Sequence, residues 1–373
     1  MEPINVLRVI TRMPPGGIER RLVAVLPRLD SAKFKPRLVC LHERGPLADQ
    51  LEDAGVPVDL IPFRKRWDVA ALRRLAAYMR RHHIHIVHSH MYRANVPATV
   101  ASHMAGIGRV WGQVHNMHTW ETRRQLWMDR RLCRWRAGMI AVSEQVRREV
   151  TERLGLSADR VRLIYNGIET DRFVRAYQQR ETLRKQHHLA QEHTVFIFSG
   201  RLVEQKRCRD FLEAFGRLQA MQDGENLRAW VLGSGRLEHD LRRQAAALPN
   251  PTAVQFLGRR DEVEHFLAAA DVFVLPSLRE GFSNALVEAM AANLGIVATD
   301  VGGNAEAIRH RCDGLIVPPL DRDRLGRAME EMWRRPDLRK LLADSAARRA
   351  RLFSLDRMVE NIERLYLESV GWD

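Results

Sequence analysis

The chain has 373 residues, 45% of them hydrophobic, and a formal net charge of +14. That length suits two domains of similar size, and no apolar run approaches the ~18–20 residues of a membrane-spanning helix. Four scattered cysteines (Cys40, Cys133, Cys208, Cys312) form no CxxC pair, which argues against a disulfide framework or structural zinc and for a reducing, cytoplasmic setting.

In chain order, MEPINVLRVI reads as a first strand rather than a secretory leader. Further strands are expected at 36–41, 84–90, 109–115, 138–143 and 161–166. A second series follows at 194–200, 228–233, 253–258, 271–277, 295–300 and 314–319. Helical periodicity fills the intervals, as in 18–29 and 208–220. Near-continuous apolar strands alternating with helices predict parallel sheets covered on both faces. Two such series in tandem predict two doubly wound α/β domains, 1–172 and 173–355. The polar stretch 174–193 reads as a linker with a short helix, and 356–373 as an amphipathic helix returning to the first domain.

The charge is lopsided. Residues 1–172 hold 30 Lys and Arg against 17 Asp and Glu, while 173–373 hold 30 against 29. A basic first domain suits an anionic partner: a membrane surface, a phosphorylated acceptor or nucleic acid. Residues 64–83 and 121–138 mix Arg clusters with Trp, Leu and Met, a composition suited to an anionic bilayer. An Arg-rich but merely solvated surface explains it nearly as well. No helix-turn-helix, zinc finger or RNP-like motif supports nucleic acid as the partner.

Open α/β sheets bind ligands beyond the carboxyl ends of their strands. There, DVFVLPSLREGFSNALVEAMAANLGIVATDVGG (271–303) places Glu280 and Gly281 on a loop, a helix start near Asn284, and Glu288 one turn into that helix. Helix-start amides attract anions. A ribose diol suits a carboxylate such as Glu288, and sugar hydroxyls suit Glu280. As a lone pair these would be a helix cap and a surface acid, but the Gly302-Gly303 loop beside them favours a site. GRLVEQK (200–206) brings Arg201 and Lys206 to a strand exit, where two cations oppose the helix dipole unless an anion visits. Gly233 lies in a G-x-G turn, a weak signal alone. In RMPPGGIERRL (12–22), Gly16 and Gly17 permit close backbone approach to a phosphate, with Glu19 and Arg20 weaker candidates. His115 ends a strand, and His118 competes with it. The run HHIHIVHSH (82–90) is not taken as a metal site, because alternate strand residues face opposite ways.

The 280–288 segment resembles the E-x7-E region of retaining GT-B glycosyltransferases, particularly glycosyltransferase family 4, and GRLVEQK resembles that family's GRL-x3-K motif. The resemblance implies a GT-B fold, two Rossmann-like domains facing across a cleft. It implies a nucleotide-sugar donor, UDP-sugar favoured over GDP-sugar, and a glycan or lipid-linked acceptor. Glu280 would lie near the donor sugar and Glu288 on the ribose. The amides of Gly281, Phe282, Ser283 and Asn284 would hold the diphosphate with Arg201 and Lys206. Gly233 would border the nucleotide, and Arg259 and Arg260 would lie near the base. Gly16, Gly17 and His115 would approach the reacting sugar. No metal or other cofactor is implied. The chain departs from the family pattern at Arg207 and Asn293, where Gly is common, and at Gly295, where Pro is common. The expected role is transfer of a hexose in lipopolysaccharide or exopolysaccharide assembly, in the cytoplasm or peripherally on the inner face of its membrane. The alternatives are another GT-B enzyme (a nucleotide-sugar epimerase or a soluble disaccharide synthase), a catalytically dead scaffold, and, less favoured, a basic nucleic-acid-binding protein.

Overall fold

The computed structural model describes all residues except 1, 66–67, 117–119, 121 and 373. Contacts divide the chain into two units, Met1–Gly167 with Leu355–Asp373, and Ile168–Ser354.

The first unit runs β1 (Ile4–Arg12), α1 (Gly17–Val25), β2 (Phe34–Glu43), α2 (Pro46–Asp53), β3 (Val58–Leu60), α3 (Val69–Arg81), β4 (Ile86–His90), α4 (Tyr92–Ala105), β5 (Val110–Val114), α5 (Arg123–Leu132), β6 (Gly138–Ala141), α6 (Glu144–Leu154) and β7 (Val161–Leu163). The second runs α7 (Thr170–Gln178), α8 (Arg180–Gln186), β8 (Thr194–Ser199), α9 (Cys208–Gln219), β9 (Leu227–Leu232), α10 (Glu238–Ala246), β10 (Val254–Gly258), α11 (Val263–Ala269), β11 (Val272–Leu275), α12 (Asn284–Ala291), β12 (Gly295–Thr299), α13 (Asn304–Ala307), β13 (Leu315–Val317), α14 (Arg322–Arg334) and α15 (Pro336–Ala350). The last helix, α16 (Leu355–Val370), belongs to the first unit.

Each unit holds one sheet of parallel strands, ordered β3-β2-β1-β4-β5-β6-β7 and β10-β9-β8-β11-β12-β13. The two share a pattern. The first strand of each sits centrally, the next two lie to one side, and the chain then crosses to the other. The switch points fall between β1 and β4 and between β8 and β11, where adjacent loops diverge and a ligand can enter.

Local chemistry sets the helix ends. Asp68 caps α3, accepting from Ala71 N at 2.9 Å, and Ala71, Leu72, Leu75, Ala76 and Met79 form its buried stripe. Ser143 caps α6, and Gly155, at φ 66°, stops it. Leu355, Met358, Ile362 and Tyr366 pack α16 into the first unit's core, and Trp111 Nε1 donates to Ser369 Oγ (3.0 Å).

Two expectations need correction. The stretch read as a linker with one short helix instead holds the end of α7 and all of α8, and these two helices bury Phe173, Ala176 and Leu183. Such sparse apolar positions look like a polar linker in sequence. The three-residue strand β3 (VDL) was not expected, being too short to show alternation.

Candidate active site

In the second unit, both strands at the switch point end in candidate residues. β8 runs into Gly200 and Arg201, with Arg201 exposed. A short 3-10 turn, Glu204–Lys206, then brings Lys206 back towards the loop after β11. Lys206 Nζ donates to Glu280 Oε1 at 2.6 Å, with side chains only 14% and 7% exposed. Ser277 Oγ donates to the same oxygen at 2.7 Å. One side-chain and one backbone tie hold the loops together: Gln205 Nε2 donates to Arg279 O, and Leu278 N donates to Gln205 O, each 2.8 Å. The Glu280 carboxylate is therefore fixed in place.

The next loop supports that arrangement. Gly303 N donates to Gly281 O at 2.8 Å, and Gly302 adopts φ 55° with its α-carbon against Glu280 O. A Cβ at Gly302 would overlap that carbonyl. Gly233, at φ 129°, approaches Gly200 O just as closely. Both glycines let backbone from neighbouring strand ends converge. α12 then starts at Asn284 behind its cap Ser283, whose hydroxyl accepts from Leu286 N (3.4 Å). The helix's leading amides have no intrahelical acceptor and present a partial positive charge beside Glu280 and Lys206. Phe282 is buried, its ring 5.0 Å from that of Phe353. Glu288 is partly buried on α12, and its charge, with those of Glu264 and Glu169, helps hold Arg172 protonated; the hydrogen bond to Glu264 contributes most. Arg259 and Arg260 are exposed after β10, with Arg260 Nε donating to Leu257 O at 2.9 Å.

The three departures have local causes. Arg207 sits in the left-handed region (φ 52°, ψ 37°), and its guanidinium makes two 2.8 Å hydrogen bonds to Asp210. Asn293, also left-handed (φ 59°), follows the end of α12, where Asn is the best substitute for Gly. Gly295 N donates to Asp271 O at 3.0 Å, a bond Pro could not make, and Arg339 packs over its α-carbon.

The other candidates lie in the first unit. Gly16 caps α1, and Arg20 N donates to Gly16 O at 3.0 Å. Open space surrounds Gly17. The Glu19 carboxylate folds back over Gly16, and burial raises its pKa. Arg20 is exposed. Its neighbour Arg21, not singled out from the sequence, is buried, with Nη1 3.4 Å from His115 Nδ1. His115 is itself buried, its Nε2 3.1 Å from His90 Nδ1. Arg8 Nη1 donates to His90 Nε2 at 3.1 Å. His88 lies alongside, bonded to Tyr366 Oη (2.8 Å) and Gln113 Oε1 (3.0 Å). Burial first, then the nearby guanidiniums, pushes His115 well below the usual imidazole range, and His88 and His90 are depressed likewise. All three rings are thus neutral at neutral pH.

The alternation argument applied to 82–90 does not separate His88 from His90. Two residues apart, they share a face and stack with ring centres 4.7 Å apart. Arg8 is marked in the sequence as a lone charge inside the apolar strand INVLRVI. His118 lies outside the described residues.

The comparisons agree with this architecture. Residues 15–172 match the model "Glycosyltransferase Family 4", and 179–349 match "Glycosyl transferases group 1". The UDP-Gal:alpha-D-GlcNAc-diphosphoundecaprenol alpha-1,3-galactosyltransferase of Escherichia coli is 25% identical over 367 residues, covering 95% of this chain and 94% of that one. The lipopolysaccharide core biosynthesis glycosyltransferase LpsE of Rhizobium meliloti is 33% identical over 150 residues, 40% of this chain and 42% of that one. Anabaena Alr3699/HepE, solved in complex with UDP, superposes with a TM-score of 0.86 at 19% identity over 98% of this chain and 100% of that one, a likeness of fold. With both halves matched and the fold shared, the chain belongs to the GT-B glycosyltransferases.

Proposed function

We propose that the protein transfers a hexose-type sugar from a UDP-sugar, with retention and without a metal ion, to a glycan or lipid-linked acceptor in lipopolysaccharide or exopolysaccharide assembly. The observation that carries this reading is the Lys206–Glu280 pair at the second unit's switch point, beside the start of α12. A sugar diphosphate seated there meets Lys206, Arg201 and the leading amides of α12. Together these stabilise the charge that develops as the diphosphate departs. Glu288 accepts from the ribose diol.

Retention fits this carboxylate's surroundings. Oε1 of Glu280 already accepts from Lys206 and Ser277, which makes Glu280 a poor covalent nucleophile. In the front-face alternative, the C1–O bond to phosphate breaks with its electrons going to the phosphate oxygen. The acceptor hydroxyl oxygen bonds C1 on the same face, and its proton passes to the departing phosphate. Support for the donor and acceptor classes comes from relatives. The E. coli enzyme's name specifies UDP-Gal and a diphosphoundecaprenol acceptor, and the Anabaena protein has been crystallised with UDP and with UDP-glucose.

The test is incubation with UDP-, GDP- and ADP-sugars in excess EDTA, with extracted lipid-linked glycan as acceptor. Nucleoside diphosphate release and the new anomeric proton are followed. Release from a UDP-sugar with the donor's anomeric configuration is expected. Inversion, or release that needs a divalent ion, contradicts the reading.

The basic first unit supports an anionic membrane as the acceptor's setting. On α5, Trp127 is 60% exposed with the Arg131 guanidinium 5.4 Å from its ring centre. Among the described residues no helix is long and apolar enough to cross a membrane. Sedimentation with anionic vesicles at low salt is expected; none would reject the membrane setting.

A further inference from the structure

Along its own three contacts, the buried chain Arg8–His90–His115–Arg21 holds more donors than acceptors. It contains three contacts: Arg8 Nη1 to His90 Nε2 (3.1 Å), His90 Nδ1 to His115 Nε2 (3.1 Å), and His115 Nδ1 to Arg21 Nη1 (3.4 Å). Guanidinium nitrogens only donate, and each neutral imidazole offers one N–H and one lone pair. Four donors therefore face two acceptors across contacts that need three. If Arg8 donates to His90, the His90 proton sits on Nδ1 and points at His115 Nε2. The His115 proton is then on Nδ1, opposite the Arg21 N–H. Reversing either tautomer only moves the mismatch to another contact. The longest of the three contacts is the last.

Arg8 adds to the deficit. It is 1% exposed, and its Nε and Nη2 have no hydrogen-bond partner among the described residues. Its charge is lodged beside the Tyr366 ring, 5.6 Å away, and burial depresses its pKa. Among the described residues, the Glu19 carboxylate acts on Arg21, while the charge that bears on Arg8 is that of Tyr366 alone. A buried cation without a counter-charge is strongly destabilising. Beside these groups lies a cavity of about 10 Å³, lined by Arg8, Arg21, His90, Gln113, His115 and apolar side chains of α1 and α16.

We propose that this cavity is a binding site for a monatomic anion of halide size, held by Arg8, Arg21 and His115. The volume admits one water-sized species, too little for a phosphate. A water would fill the space, but it brings two hydrogens into a wall of donors. An acceptor-only ion takes the missing role in the chain and balances the Arg8 charge. The site lies within the first unit and stands independently of the sugar-transfer reading.

The test uses the intact protein. Crystals grown in sodium bromide are measured at the bromine edge, and melting is compared in sodium chloride and sodium gluconate at matched ionic strength. An anomalous peak in the cavity within hydrogen-bond reach of Arg8 is expected, with a melting temperature about 3 °C higher in chloride. That chloride-dependent difference should vanish in Arg8→Met, whatever the variant's absolute stability. If Arg8→Met does not fold, the wild-type bromide crystal decides alone. A water in the cavity of bromide-grown crystals, with equal melting in the two salts, overturns the proposal.

Discussion

Lys206 Nζ lies 2.6 Å from Glu280 Oε1, although the two residues are 74 positions apart. The pair closes the gap between the ends of β8 and β11, and it makes one group serve two purposes. Lys206 neutralises a nearly buried carboxylate, and under the proposed function it also meets the incoming diphosphate.

Replacing Lys206 with Met leaves Glu280, among the described residues, with Ser277 as its remaining side-chain partner. Breaking one side of such a buried pair is expected to cost about 3 kcal/mol, measurable by urea unfolding. Turnover should fall by roughly 100-fold as leaving-group stabilisation is lost. Glu280→Gln, which keeps an acceptor for both neighbours, should be milder in stability than Lys206→Met.

The backbone at Arg207 can be tested by a pair of variants. Both Arg207→Gly and Arg207→Ala remove the ion pair to Asp210. Only Gly relieves the left-handed backbone at φ 52°. The Gly variant should therefore be more stable than the Ala variant by about 1 kcal/mol in equilibrium unfolding. Equal stabilities would show that the strain is absent.

Gly302→Ala should be more disruptive than its size suggests. The added methyl would overlap Glu280 O, and φ 55° disfavours any Cβ. The Glu280 loop must move to admit it. Weaker UDP binding and a melting temperature lowered by several degrees are expected, about 2 kcal/mol of destabilisation.

Acid stability should depend on Asp313. Burial pushes its pKa up, but hydrogen bonds from Arg309 and Ser345 outweigh that and hold it at about 2. A carboxyl depressed in the folded state contributes stability above its unfolded pKa, and loses it as pH falls through the folded value. Between about pH 4 and pH 2 the protein should lose about 2 kcal/mol from this group. Asp313→Asn should flatten that part of the pH–stability curve and lower stability at neutral pH.

The second unit's candidate residues were easy to pick out in the sequence because they are local. Glu280, Gly281, Ser283 and Glu288 fall within one strand-loop-helix turn, and Arg201 and Lys206 within another. The Ser277 contact to Glu280 followed from neither, since it depends on a rotamer. The first unit was harder to read. The Arg8, His90, His115 and Arg21 cluster draws on β1, β4, the end of β5 and α1, and only the switch in strand order brings β1 beside β4. No spacing rule links them. Arg20, a weaker candidate in the sequence, faces solvent, and its neighbour Arg21, which no motif singled out, faces inward. Two helices, α7 and α8, stand where a linker with one short helix was expected, for want of a wide apolar stripe, and β3 was missed because three residues carry no period.

The proposed function rests on a nucleotide-sugar donor at the second unit's β8–β11 switch point, with Glu288 on the ribose. Calorimetric titration of UDP into the wild type and Glu288→Ala tests it most directly. Saturable binding by the wild type, weakened roughly 10- to 100-fold in the variant, is the predicted result, the range for losing hydrogen bonds to a charged group. Equal affinity in the two proteins would contradict the ribose assignment, and no binding of UDP to the wild type would contradict the site.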